Sequence, residues 1–62
     1  MKIATYGNGW AASFEGPSRP AGLYVATVRN AAGDVHDKVR CDDRRMALDY
    51  FRAFKAIAKA GR

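Results

Sequence analysis

The sequence predicts an α+β domain, in which an antiparallel meander of three to four strands is followed by one C-terminal helix packed on one face of the sheet. Two observations predict this class. Up to Cys41, turn-forming residues separate short segments rich in β-forming side chains, and after Cys41 the apolar period changes from two to 3.6 residues. A chain of 62 residues suits one small domain, so we assign residues 1–62 to a single domain.

The first two strands are predicted on either side of Gly7-Asn8-Gly9. This tripeptide separates Lys2–Tyr6 from Trp10–Glu15, and Asn-Gly between short apolar segments is a strong hairpin signal. The next segment, residues 16–22, contains two prolines and two glycines among seven residues. Because these residues disfavour the interiors of strands and helices, we predict an exposed loop there.

A second strand pair is predicted between Leu23 and Cys41. The segment Leu23–Asn30 contains Leu-Tyr-Val-Ala-Thr-Val, which is typical of a central strand. Ala31-Ala32-Gly33 follows as a turn, in which Gly33 is free to take a positive φ. Asp34–Cys41 then returns antiparallel, with valines at positions 35 and 39.

The C-terminal helix is predicted over Arg44–Ala60, which lacks Gly and Pro and has Ile57 as its one β-branched residue. Asp42 or Asp43 supplies the N-cap oxygen, and Gly61 follows as the C-cap. The residues that we expect on the sheet-facing side, from their i, i+3, i+4, i+7 spacing, are Ala47, Tyr50, Phe51, Phe54, Ile57 and Ala58.

Two registers of the 23–41 hairpin satisfy the pattern, because a shift of one residue exchanges the two faces of a strand. The preferred register buries most of the apolar residues and leaves every cation in water. In that register the helix faces Tyr24, Ala26, Val28, Val35, Val39 and Cys41. The open face then carries Val25, Thr27, Arg29, His36, Lys38 and Arg40. The alternative register turns Leu23 and Val25 inward and Tyr24 outward, and in the preferred one Asp37 points inward without an identified partner.

Basic side chains are in clear excess, with eleven Lys and Arg against six Asp and Glu and a net charge of +5. Such a charge favours polyanionic partners, although it also serves solubility alone. The residues that we predict to contact nucleic acid are Arg29, Lys38 and Arg40 on the sheet and Arg44, Arg45, Arg52, Lys55 and Lys59 on the helix. The helix cations fall within roughly a 100° sector, beside the apolar stripe.

Catalytic and metal-binding arrangements are not predicted. His36 is the single histidine and has no orienting partner in the sequence, and the acids beside Cys41 disfavour its thiolate. The pair Asp42-Asp43 fits an N-cap better than a metal site or an acid–base pair. We therefore expect a non-enzymatic binding module without a metal or cofactor.

The cellular setting is predicted from the cysteine and the chain start. A lone thiol allows no internal disulfide and suits a reducing compartment, and the N-terminal residues lack the apolar region of a signal peptide. No apolar segment reaches the roughly 18 residues of a membrane span. We expect a cytoplasmic protein without a membrane partner, stabilised by its own core or as a homodimer.

The segment from Gly22 to Lys59 resembles the plant-type AP2 domain and the N-terminal domains of phage and transposon integrases. Leu23–Asn30 is similar to the second strand of that family, and residues 47–54 resemble its helix rich in Ala and Tyr. The resemblance implies a sheet backed by one helix that binds duplex DNA through the open face, with Arg29 at a DNA-contacting position. The arginine-rich first strand and the Trp-Leu-Gly of the family have no counterpart here.

A second resemblance is carried by Met1–Gly9, followed by a hairpin and one helix. This arrangement is similar to small phage anti-CRISPR proteins, which act by protein–protein contact, although many of those are acidic. The leading prediction is therefore a DNA-binding module of a phage or mobile element. The alternative is an inhibitor or adaptor that docks on an acidic protein surface.

Overall fold

A computed structural model of the chain describes residues 1–17 and 22–61, and these form one antiparallel sheet and one helix. The elements are β1 (Lys2–Thr5), β2 (Ala11–Glu15), β3 (Tyr24–Arg29), β4 (Val35–Cys41) and α1 (Arg44–Ala60). The strands follow one another in the order β1-β2-β3-β4, so the sheet is a four-stranded meander. The predicted α+β class is confirmed, and residues 18–21 of the predicted loop lie outside the described residues.

The two outer hairpins use the same kind of turn. The N–H of Gly9 donates to the carbonyl of Tyr6 at 3.0 Å, and the N–H of Gly33 donates to Asn30 at 2.9 Å. Gly9 has φ 88° and Gly33 has φ 87°, a left-handed conformation that is nearly free of steric cost for glycine alone. The hairpin predicted from Asn8-Gly9 is present, and Gly33 takes the positive φ predicted for it.

The helix is capped at both ends as the sequence suggested. Asp43, and not Asp42, is the N-cap, and its carboxylate accepts the N–H of Arg45 at 2.9 Å. Gly61 adopts a left-handed conformation, and its N–H donates to the carbonyls of Ile57 and Ala58. The caps therefore define the helix bounds that the sequence predicted.

The core lies between α1 and the two central strands. The ring of Phe14 on β2 packs against Phe51 of the helix and Tyr24 of β3, with centroids 5.9 Å apart in each pair. The buried apolar residues are Ala12, Phe14, Ala26, Val28, Cys41, Ala47, Phe51, Phe54 and Ala58. Small alanines on both layers let the helix approach the sheet closely around these rings.

Asn8 ties the β1–β2 turn to the end of the helix. Its side-chain Nδ2 donates to the carbonyl of Ala58 at 2.9 Å, and its Oδ1 accepts the N–H of Trp10 at 3.0 Å. One side chain therefore fixes the turn and gives the Ala58 carbonyl a second donor beside the N–H of Gly61.

The predicted helix stripe needs a correction at its margin. Tyr50 is 42% exposed, and Ile57 is only half-buried, whereas Ala47, Phe51 and Phe54 are buried as predicted. The helix packs mainly on β3 and β2 and less on β4. Tyr50 and Ile57 therefore lie at the margin of the contact between helix and sheet.

The preferred register is confirmed for most of the second hairpin. Tyr24 lies opposite Cys41, Ala26 opposite Val39 and Thr27 opposite Lys38, so the buried and open sets fall as predicted. It is wrong at the start of β4, where a bulge places one extra residue, His36, opposite the step from Val28 to Arg29 on β3.

The bulge exchanges the faces of Val35 and His36. Val35 lies opposite Arg29 and is exposed on the open face. His36, which was predicted on the open face, instead places its ring 5.2 Å from that of Trp10 on the helix side. The prediction assumed an unbroken alternation, and one unpaired residue reverses it.

Candidate nucleic-acid interface

The open face of the sheet is a shallow depression of about 260 Å³. Small side chains of the two central strands, namely Ala11, Ser13 and Thr27, lie at its middle. Thr27 is only 7% exposed although it points away from the helix, which shows how closely the larger neighbouring side chains surround it. The face therefore offers a concave surface with raised edges.

The raised edges differ in chemistry. Met1 and Ile3 on the β1 side are apolar and largely exposed, and Glu15 is the acid of that half. Arg29 and Lys38 line the opposite half, on β3 and β4. The face is therefore divided into an apolar half with one acid and a cationic half.

The cationic half is built by strand geometry. Lys38 and Arg40 are two residues apart on β4, so their side chains leave the same face roughly 7 Å from each other. Arg29 lies diagonally across from Lys38 on β3, because Thr27 is the direct partner of Lys38. Its guanidinium donates to the carbonyl of Gly33 at 3.2 Å, which holds it beside the β3–β4 turn. The structure thus brings the three predicted sheet cations together.

The helix cations form a separate set. Arg44, Arg45, Arg52 and Lys59 are exposed, and Lys55 is half-buried with its Nζ 4.9 Å from the centroid of the Phe51 ring. Asp49 is the one acid of α1, and its carboxylate lies 3.8 Å from Arg52. This exposed ion pair contributes little to stability. Asp49 balances only one of the helix cations, so the surface of the helix keeps a positive charge.

The eight predicted contact residues therefore lie on two surfaces and not on one. Arg29, Lys38 and Arg40 point away from the helix, whereas the other five belong to the helix layer on the far side of the sheet. This division follows from the predicted packing of the helix on one face of the sheet, which leaves the sheet cations on the other face.

Aromatic side chains are confined to the helix side of the sheet and to the helix itself within residues 1–17 and 22–61. Tyr6, Trp10 and Tyr24 pack against the core, and Phe14 belongs to it. Trp10, Phe14 and Tyr24 therefore serve in packing, and their rings are not on the open face.

The remaining chemical candidates have structural positions. Cys41 is a buried free thiol, and the His36 ring packs on Trp10. In the described part of the chain no cluster of three or more His, Cys, Asp or Glu side chains is placed to hold a metal ion. None of the described helices combines the length and apolar character required to cross a membrane.

Asp37 is a feature whose role the sequence did not reveal. Its carboxylate accepts the backbone N–H of Lys38 at 2.8 Å, and both residues lie on the edge strand β4. The side chain that lacked a predicted partner thus binds the backbone of its own strand. The adjacent Asp-Lys pair carries no sequence signal for this bond, because it depends on which backbone groups the edge leaves unpaired.

Comparisons of the chain with protein-family models, curated proteins and solved structures found no match.

Proposed function

We propose that this domain is a non-enzymatic nucleic-acid-binding module that holds the phosphate backbone of duplex DNA against its open sheet face. The observation that carries the proposal is the grouping of Arg29, Lys38 and Arg40 on two neighbouring strands of the open face. Among the described residues that line its depression, the one acid is Glu15 on β2. Cations in this arrangement position a backbone without reading its sequence. The resemblance to sheet-plus-helix DNA-binding domains implies the same surface.

A duplex is favoured over a single strand because of the side chains that this face presents. Proteins that bind single strands without sequence preference stack bases on exposed aromatic rings. Among the described residues, the open face carries aliphatic, hydroxyl and charged side chains and no ring. Its binding energy for nucleic acid must therefore come mainly from phosphates, which a duplex presents at high density.

A titration of labelled random duplex DNA at several salt concentrations tests the proposal. Each neutralised phosphate contributes roughly −0.9 to the slope of log affinity against log salt, so three sheet contacts give a slope of roughly −3. Replacing Lys38 and Arg40 with Glu should weaken binding and flatten the slope. The proposal is wrong if wild-type protein has no measurable affinity for the duplex at low salt.

A matched pair of neutralising variants locates the surface. Glu15→Gln removes the acid on the open face, and Asp42→Asn removes an exposed acid from the turn before the helix. Because screened charges act over about 10 Å at 0.1 M salt, Glu15→Gln should raise the affinity roughly two- to fivefold and Asp42→Asn should change it less. Equal effects would mean that net charge, and not this face, determines binding.

Docking on a protein is the second candidate, and a specific observation favours it. Met46 is 51% exposed and, by its spacing on the helix, shares one flank with the exposed Tyr50 and the half-buried Ile57. Exposed apolar flanks of this kind are frequent at protein interfaces. The resemblance to anti-CRISPR proteins implies such contact, and this candidate leads if the duplex titration shows no binding.

A further inference from the structure

We propose that the basic edge of the helix, formed by Arg52, Lys55 and Lys59, is a second phosphate-binding surface, so that one copy of the domain holds two duplex segments at once. This inference rests on the proposed function and extends it from binding to bridging. It follows from the position of two cation sets on different layers of a very small domain.

The basic edge is a continuous surface. Arg52, Lys55 and Lys59 are three and four residues apart, so their side chains leave neighbouring positions of one helix face. Asp49 is the one acid on the helix, and it reaches only Arg52. Lys55 is fixed in place, because its ammonium lies over the ring of Phe51, which is itself buried.

The fold does not explain this set of charges. Like charges three or four residues apart destabilise a helix, and Arg44 and Arg45 occupy a first turn without any acid, where the helix dipole disfavours cations. A helix that only packed on the sheet would be more stable with alternating positive and negative charges. A polyanionic ligand turns the same residues into favourable contacts.

The two surfaces cannot share one straight duplex. Lys55 lies on Phe51, and Phe51 packs against Phe14 of β2, so the basic edge is on the β2 side of the helix layer. The sheet cations instead point away from the helix, from β3 and β4. The Cα trace is at least 15 Å across in every direction. A short duplex is too stiff to bend around so small a body, and each surface therefore takes its own segment.

The test uses two duplexes of roughly 20 base pairs, one labelled with a donor dye and the other with an acceptor, a length that remains stiff on this scale. Wild-type protein should produce energy transfer between the two duplexes. Excess protein should abolish the transfer, because each duplex then binds separate copies of the domain and is no longer bridged. The variant Arg52→Ala/Lys59→Ala should reduce the transfer to the level without protein while still binding single duplexes through the sheet.

The variant Lys38→Ala/Arg40→Ala is the matched control for charge, because it also removes two cations but from the other surface. It should lose bridging as well and keep single-duplex binding through the helix edge. If the helix variant bridges as well as wild type, the second surface does not exist, and the same holds if wild type binds duplexes without ever bridging them. Absence of any duplex binding would instead overturn the proposed function.

Discussion

The two faces of the sheet use the same four strands for opposite purposes. On the helix side, Ala12, Phe14, Ala26 and Val28 are buried against the helix, and their burial stabilises the fold. On the open side, small, aliphatic and cationic residues surround a shallow depression. Alternation along a strand assigns one residue to the core and the next to the open face, so even a chain this short has two faces of different chemistry.

The comparison also shows where the molecule tolerates change. Helix-side residues touch several neighbours at once, and a deletion there leaves a cavity. Open-face residues touch solvent on one side, so their replacement alters charge and shape with little effect on folding. We therefore expect substitutions on the helix side to lower the free energy of unfolding more than substitutions on the open face.

The helix side should be most sensitive at Phe54, which is 3% exposed. Phe54→Ala should lower the free energy of unfolding by on the order of 3 to 5 kcal/mol, because it empties an aromatic ring from the core. The matched control is Tyr50→Ala, since Tyr50 lies on the same helix with its ring 6.2 Å from Phe54 but is 42% exposed. Thermal or urea unfolding should show a small change for Tyr50→Ala, and equal losses would contradict the observed helix face.

Two valines on β3 compare the faces directly. Val28 is fully buried on the helix side, whereas Val25 lies on the open face opposite Arg40. Val28→Ala should cost about 2 kcal/mol of unfolding free energy, and Val25→Ala should cost less than about 1 kcal/mol. Urea denaturation of the two variants measures the difference. A larger loss at Val25 would show that the alternative register is the real one.

The smallest effect concerns the attachment of the helix to the first turn. Asn8→Asp keeps an oxygen that accepts the N–H of Trp10 but removes the donor to Ala58, and it adds a negative charge near the carbonyl end of the helix. We expect a loss of about 1 kcal/mol. Asn30→Asp is the control, because Asn30 only accepts bonds in the described structure. Equal thermal midpoints for both variants would show that the bond to Ala58 contributes nothing.

Much of the fold could be predicted because its signals are local. Asn8-Gly9 and Gly33 mark the turns, and the change of period after Cys41 marks the entry to the helix. The helix bounds agree with the sequence prediction since Asp43 and Gly61 satisfy the helix ends directly. Such signals act within a few residues and need no knowledge of the tertiary structure.

The errors arose where a residue depends on distant neighbours. The bulge that turns His36 towards Trp10 depends on how β4 pairs with β3, and no residue type specifies it. Tyr50 has the spacing of a buried residue but lies exposed at the margin of the contact between helix and sheet.

The bond from Asp37 to the backbone of Lys38 has a consequence for crowded conditions. An edge strand with free N–H groups is a template on which another chain can add a strand, and β4 is seven residues long. The carboxylate of Asp37 accepts the N–H of Lys38 on this strand. The charges of Lys38 and Arg40 repel the same strand of a second copy. Both features disfavour the pairing of two sheets edge to edge when the concentration of the domain is high.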